Sequence, residues 1–98
     1  MKRLLKTLVF ASLLSFISCG NNPEKSRLYY DKAMDYLYHS QFEEAIEYFD
    51  KAIKFNDKNH EAYFYRGCAK YNIYQKEEAL EDYNKTLELD PEYLQAYF

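Results

Sequence analysis

From residue 23 onward, apolar positions recur every three or four residues. Tyr29, Ala33 and Tyr36 fall at i, i+4 and i+7, which is one face of a helix. Phe42, Ala45, Ile46, Phe49 and Ile53 form the same stripe in the next stretch. Asn22-Pro23-Glu24, Asn56-Asp57-Lys58 and Asp90-Pro91-Glu92 each put a capping Asn or Asp ahead of a helical stretch. The pattern predicts helices over 23–39, 42–55, 57–73, 76–89 and 91–98, an all-α chain. The first 20 residues break it: Lys2, Arg3 and Lys6 precede an uncharged run from Thr7 to Ser18.

The stripes also repeat. Shifted by 34 residues, Tyr29 meets Tyr63, Gln41 meets Gln75, and Glu43-Glu44-Ala45 meets Glu77-Glu78-Ala79. Glu47 meets Glu81 and Lys51 meets Lys85; Ala33 pairs with Gly67, Ile46 with Leu80, Phe49 with Tyr83 and Ile53 with Leu87. A second shift sets Ala62-Tyr63-Phe64 on Ala96-Tyr97-Phe98.

A 34-residue period with two helical patterns per unit resembles the tetratricopeptide repeat. The family places aromatics at positions 4, 11 and 24, a small residue at 8, Ala at 20 and 27, and Pro at 32. The first unit, from Ser26, supplies Tyr29, Ala33, Tyr36, Ala45, Phe49 and Ala52, with Asp57 in place of the proline. The second, from His60, supplies Tyr63, Gly67, Ala79, Tyr83 and Pro91, with Lys70 and Thr86 where an aromatic and Ala are usual. The turn glycine expected at position 15 is Ser40 in one unit and Tyr74 in the other. The resemblance covers residues 26–98 and implies a tandem helix-turn-helix solenoid: repeats at 26–59 and 60–93, and the beginning of a third at 94–98. Gly67 costs about 1 kcal/mol in a helix interior, so a close helix contact is its expected reason. Glu47–Lys51 and Glu81–Lys85 are expected as i, i+4 pairs worth a few tenths of a kcal/mol.

The N-terminal run from Thr7 to Ser18 would span about 18 Å as a helix, short of a hydrocarbon core of roughly 30 Å, so residues 1–18 are expected to be an export signal rather than a membrane span. Cleavage after Gly20 would put small residues, Ser18 and Gly20, at the positions a soluble exported protein needs. The alternative is the stretch FISCG, residues 16–20, which resembles the lipobox of bacterial lipoproteins with Phe16 in place of the usual leucine. That resemblance implies lipidation of Cys19, a permanent membrane anchor, and a tether and helix start over 19–25. No Asp follows Cys19, which in that family favours the outer membrane over inner-membrane retention. The expected location is the bacterial cell envelope.

Removing Lys2, Arg3 and Lys6 from the 13 basic residues leaves ten against 16 acidic ones, a net charge of −6, which argues against nucleic acid as a partner. Cys68 is left alone once Cys19 is modified or removed, so packing must hold the fold. The two histidines, His39 and His60, do not pair at helical spacing, and His60 with Cys68 lacks a third ligand, so no metal is expected. With only Gly20 and Gly67, no phosphate-cradling loop exists. No cofactor and no catalysis are expected.

What remains is an excess of aromatics, 12 Tyr and seven Phe. A second stripe runs beside the packing one: Tyr30, Met34, Leu37 and Tyr38, then Phe64, Cys68 and Tyr71, with Phe98 following. In tetratricopeptide proteins these positions line a concave groove that holds a peptide or partner helix, which implies a protein or peptide partner; the competing expectation is that the rings bury one another. Tyr30 and Met34 stand where the family's carboxylate clamp needs Lys and Asn, so that clamp is not expected. The face carrying Leu80, Tyr83 and Leu87 needs a cover. Either the array runs on beyond residue 98, or a second copy or partner closes the open end by association. Two rival roles follow: an accessory region of a longer envelope enzyme, or a structural spacer.

Overall fold

A computed structural model of the chain describes residues 20–97, which form four helices and a terminal turn of 3-10 helix. They are α1 (Pro23–Tyr38), α2 (Phe42–Phe55), α3 (His60–Asn72) and α4 (Lys76–Leu89), with the 3-10 turn at Leu94–Ala96. Each consecutive pair packs antiparallel as a helical hairpin, and α3 rests chiefly on α2. Residues 26–59 and 60–93 therefore build equivalent hairpins stacked side by side, an all-α helical solenoid.

Asn22 caps α1, accepting from the Lys25 amide at 3.0 Å, with Pro23 in the first helical turn. The other two expected starts lie elsewhere. Asn56 and Asp90 each close the preceding helix, then accept the amide two residues on, Lys58 at 3.1 Å and Glu92 at 3.2 Å. That Asx turn delays the next helix by three residues. α3 starts at His60 rather than 57, because Asn59 is the side chain that caps it, at 3.2 Å from the Ala62 amide. The counterpart of Asn59 is Tyr93, which has no capping acceptor, and the helix expected over 91–98 is only the 3-10 turn Leu94–Ala96. Phe98 lies outside the described residues.

Both hairpin turns are Schellman motifs. Gln41 and Gln75 amides reach back to the Tyr36 and Lys70 carbonyls, each at 2.9 Å. The motif requires a left-handed residue, and Ser40 (φ 57°) and Tyr74 (φ 67°) adopt it without being glycine.

Ala33, Ala45, Phe49, Ala52, Tyr63, Gly67 and Ala79 are buried, while Tyr29, Tyr36 and Tyr83 are half-buried. The small residues let helices meet closely: a Cβ on Gly67 would lie 2.8 Å from the Tyr83 ring and 3.2 Å from the Ala79 carbonyl. The second repeat's odd residues have partners too. In repeat 1 the Ser26 hydroxyl donates to the Ala52 carbonyl at 2.7 Å. In repeat 2 the donor has moved to the other helix, and the Thr86 hydroxyl reaches the carbonyls of Asp82 at 2.9 Å and His60 at 3.3 Å. Of the two expected i, i+4 ion pairs, Glu47–Lys51 forms at 3.8 Å, whereas Lys85 turns to Glu88 at 3.5 Å.

On the outer side of repeat 1, four rings form a column: Phe55 stacks on Tyr29 at 5.8 Å, Tyr29 meets Tyr48 at 6.1 Å, and Tyr48 stacks on Tyr36 at 5.4 Å. No helix among the described residues is long and apolar enough to cross a membrane.

Candidate functional site

The second aromatic stripe does not stay together as one groove. Phe64 is buried, 5% exposed, with its ring 5.6 Å from Tyr83 and 5.1 Å from both Tyr65 and Tyr93. It belongs to the core, because the turn after α4 brings Tyr93 down over it. Tyr71 sits at the open end, where with Lys76, Leu80, Tyr83 and Ala96 it lines a cleft of about 460 Å³. Its counterpart Leu37 is half-buried against the core, whereas Tyr71 is 54% exposed, with the Lys76 ammonium over its ring at 5.8 Å.

Tyr30 and Met34 are half-buried against the core, Tyr30 edge-on to Phe49 at 5.9 Å. Tyr38 is 78% exposed. Cys68 is half-buried and accepts the Tyr83 hydroxyl at 3.7 Å. Burial pushes its thiol up, outweighing that hydrogen bond, so it is a poor nucleophile.

Three residues outside the predicted stripe join this side. Tyr65, Glu61 and Tyr93 come up beside Tyr30, so that α1, α3 and the turn after α4 share one strip of phenols around a carboxylate. Burial first, then Glu61, pushes the Tyr30 phenol well above its ordinary range; burial first, then Tyr65, does the same for Tyr93. These hydroxyls stay protonated at any physiological pH and act as neutral donors. Tyr65 was missed because its counterpart in repeat 1 is Asp31, so the internal repeat gives no signal there. Tyr93 was missed because it was read as part of a new helix.

Among the described residues no group of three or more His, Cys, Asp or Glu side chains could hold a metal. What the strip offers is half-buried aromatic area with donors and one acidic group, the composition of a recognition surface.

Comparison with known proteins agrees with the geometry. The tetratricopeptide repeat matches twice, at residues 26–59 and 60–93. Human sperm-associated antigen 1 is 33% identical over 75 residues, 76% of this chain and 8% of that protein. Hsp70-Hsp90 organizing protein 2 of Arabidopsis thaliana is 31% identical over 67 residues, 68% of this chain and 12% of that protein. The chain thus spans about a tenth of the relatives it matches. Among solved structures, the TPR2AB domain of yeast Sti1 in complex with pHSP90 superposes with a TM-score of 0.77 at 26% identity, covering 98% of this chain and 36% of that one. MamA superposes with a TM-score of 0.73 at 25% identity, covering 74% and 43%. On two matched repeats and the stacked hairpins they form, this chain belongs to the tetratricopeptide repeat family.

Proposed function

We propose that this chain is a protein-interaction module that holds a peptide or partner segment along the strip formed by α1 and α3. The observation that carries this reading is the convergence of Tyr30 from α1 with Glu61 and Tyr65 from α3 and with Tyr93, half-buried or exposed rather than sealed, while Met34 and Tyr38 continue the stripe along α1. The likeness to an Hsp90-complexed domain of Sti1 supports partner binding in general. It does not extend to the carboxylate clamp, since Tyr30 and Met34 replace its Lys and Asn. Recognition here rests on aromatic contact and phenol donors. We further place the module at the bacterial cell envelope, held by a lipid on Cys19, which lies outside the described residues. Tethering would raise its effective concentration at the membrane surface. The uncovered cleft at Tyr71, Lys76 and Leu80 gives the solenoid a second contact face, for a further helix or a second copy of the chain.

The test is site-specific photocrosslinking in a bacterial host. A photoreactive residue at 34 or 38 should capture a partner that one at Glu81, exposed on α4, does not. Equal capture from all three positions would remove the groove from the proposal.

A further inference from the structure

The ring column on the outside of repeat 1 is flanked by four ammonium groups. Lys25 and Lys54 lie over Phe55 at 4.9 and 5.9 Å, Lys51 over Tyr48 at 4.7 Å, and Lys32 over Tyr48 at 5.0 Å. Of the four, Lys51 is ion-paired, with Glu47 at 3.8 Å. Repeat 2 has no such surface. The residues equivalent to Lys25 and Lys54 are Asn59 and Glu88, Arg66 is held by Asp82 and Asp50, and Lys85 by Glu88. Four of the ten basic residues that follow residue 18 thus flank one ring column in one repeat.

That face is also where the chain enters the fold. The Asn22 amide donates to the Phe55 carbonyl at 2.9 Å, so the segment before residue 22 leaves beside the end of the ring column. Cys19 is three residues upstream, a reach of at most about 11 Å. A lipid on Cys19 would bring the Phe55 end of the column close to the bilayer surface, with Tyr29, Tyr48 and Tyr36 following along it.

We propose that this lysine-flanked ring column is a membrane-facing surface that rests on anionic lipid headgroups, with the strip of α1 and α3 left free for a partner. Tyrosine and lysine suit that boundary: apolar ring or stem, polar tip. Each lysine near an anionic surface contributes about a fivefold gain in partitioning, too little to anchor the chain alone but enough to orient one already tethered. Single-stranded nucleic acid fits less well, because the ring faces are occupied by one another and by the ammonium groups rather than open to bases. The proposal rests on the Cys19 anchor for its placement, but the surface itself can be read separately.

The experiment is residue-resolved lysine acetylation of the full chain, matured in a bacterial host and reconstituted into vesicles of phosphatidylcholine alone or with phosphatidylglycerol. Lys25, Lys32 and Lys54 should lose about fivefold or more of their reactivity only in the anionic vesicles, while Lys76 and Lys85 stay constant as internal references. The mass of the N-terminal peptide reports in the same sample whether Cys19 carries lipid. A lipidated Cys19 with equal labelling in both vesicles overturns the surface and leaves the anchor standing. An unmodified Cys19 with protection only in anionic vesicles removes the anchor and keeps the surface. Protection by polyglutamate or RNA, but not by anionic vesicles, overturns the proposal in favour of another polyanion.

Discussion

Arg66 grips Asp82 through two hydrogen bonds, 2.9 Å from Nε and 2.7 Å from Nη2, across the α3–α4 hairpin. Asp82 is 4% exposed, and Lys70 adds a third contact at 3.1 Å; Arg66 also reaches Asp50 on α2 at 2.8 Å. The equivalent residues of repeat 1 are Lys32, Tyr36 and Tyr48, where a ring stack and a cation over a ring fill the same space. One fold site is thus packed by rings in one repeat and by charges in the other. Lys70, which departs from the family's aromatic, departs together with its partner.

That substitution as a set makes the first prediction. Asp82→Ala leaves Arg66 with Asp50 alone and Lys70 without its carboxylate, and should cost about 1–3 kcal/mol. Installing repeat 1's set, Arg66→Lys with Lys70→Tyr and Asp82→Tyr, should recover most of that loss. Urea unfolding of the single and triple variants checks it. A triple variant no more stable than Asp82→Ala would mean the two sets are not interchangeable.

Gly67 carries the second. A methyl group there meets the Tyr83 ring at 2.8 Å, and that ring is fixed by Phe64 and by its hydroxyl on Cys68. Gly67→Ala should therefore destabilise by about 1–3 kcal/mol through overpacking, despite the better helix propensity of Ala. If thermal denaturation shows Gly67→Ala to be stabilising, the close crossing is looser than its geometry.

The turns give an opposite sign. Ser40 and Tyr74 hold left-handed backbone that costs an L-residue about 1 kcal/mol or more. Ser40→Gly and Tyr74→Gly should each raise stability by up to about 1 kcal/mol, less the added freedom of the unfolded chain. Tyr74 is 86% exposed, so little packing is lost with its ring.

The first four helices, the hairpin pairing and the small residues at crossings were legible in the sequence because they follow from periodicity; the fifth helix expected over 91–98 was not, because its start lacks a capping side chain. What was not legible depends on partners distant in sequence. Asn56 and Asp90 look like helix starts, and only the competing cap at Asn59 shows which amides they bond. Thr86 looks like a defect until the missing Ser at His60 is set beside it. Phe64 and Tyr30 share a repeat position, yet Tyr93 covers the first. Position within a repeat fixes a residue's direction, and the neighbouring element decides its burial.

The phenols predict a pH dependence. Tyr30, Tyr63, Tyr83 and Tyr93 are all raised, chiefly by burial, so the unfolded chain releases these protons first. Above the ordinary tyrosine value of about 10, the native state binds more protons than the unfolded state, and stability falls as pH rises. Ultraviolet titration should show Tyr30, Tyr63, Tyr83 and Tyr93 ionising later in the native protein than in urea. A single native transition at the ordinary value would contradict this.

The last prediction separates core from groove with two rings that lie on the same side of the repeats. Phe64 is buried among Tyr65, Tyr83 and Tyr93, so Phe64→Ala should cost about 3–5 kcal/mol and lower the cooperativity of unfolding. Tyr38 is 78% exposed, so Tyr38→Ala should change stability by no more than about 0.5 kcal/mol. A loss of partner binding in Phe64→Ala is therefore uninformative, whereas the same loss in Tyr38→Ala at unchanged helical circular dichroism assigns the ring to recognition. Full binding by Tyr38→Ala, and by Met34→Ala beside it, would move the contact to the phenol strip of Tyr30, Tyr65 and Tyr93. Tyr65→Phe then becomes the deciding variant, since it removes a donor and keeps the ring.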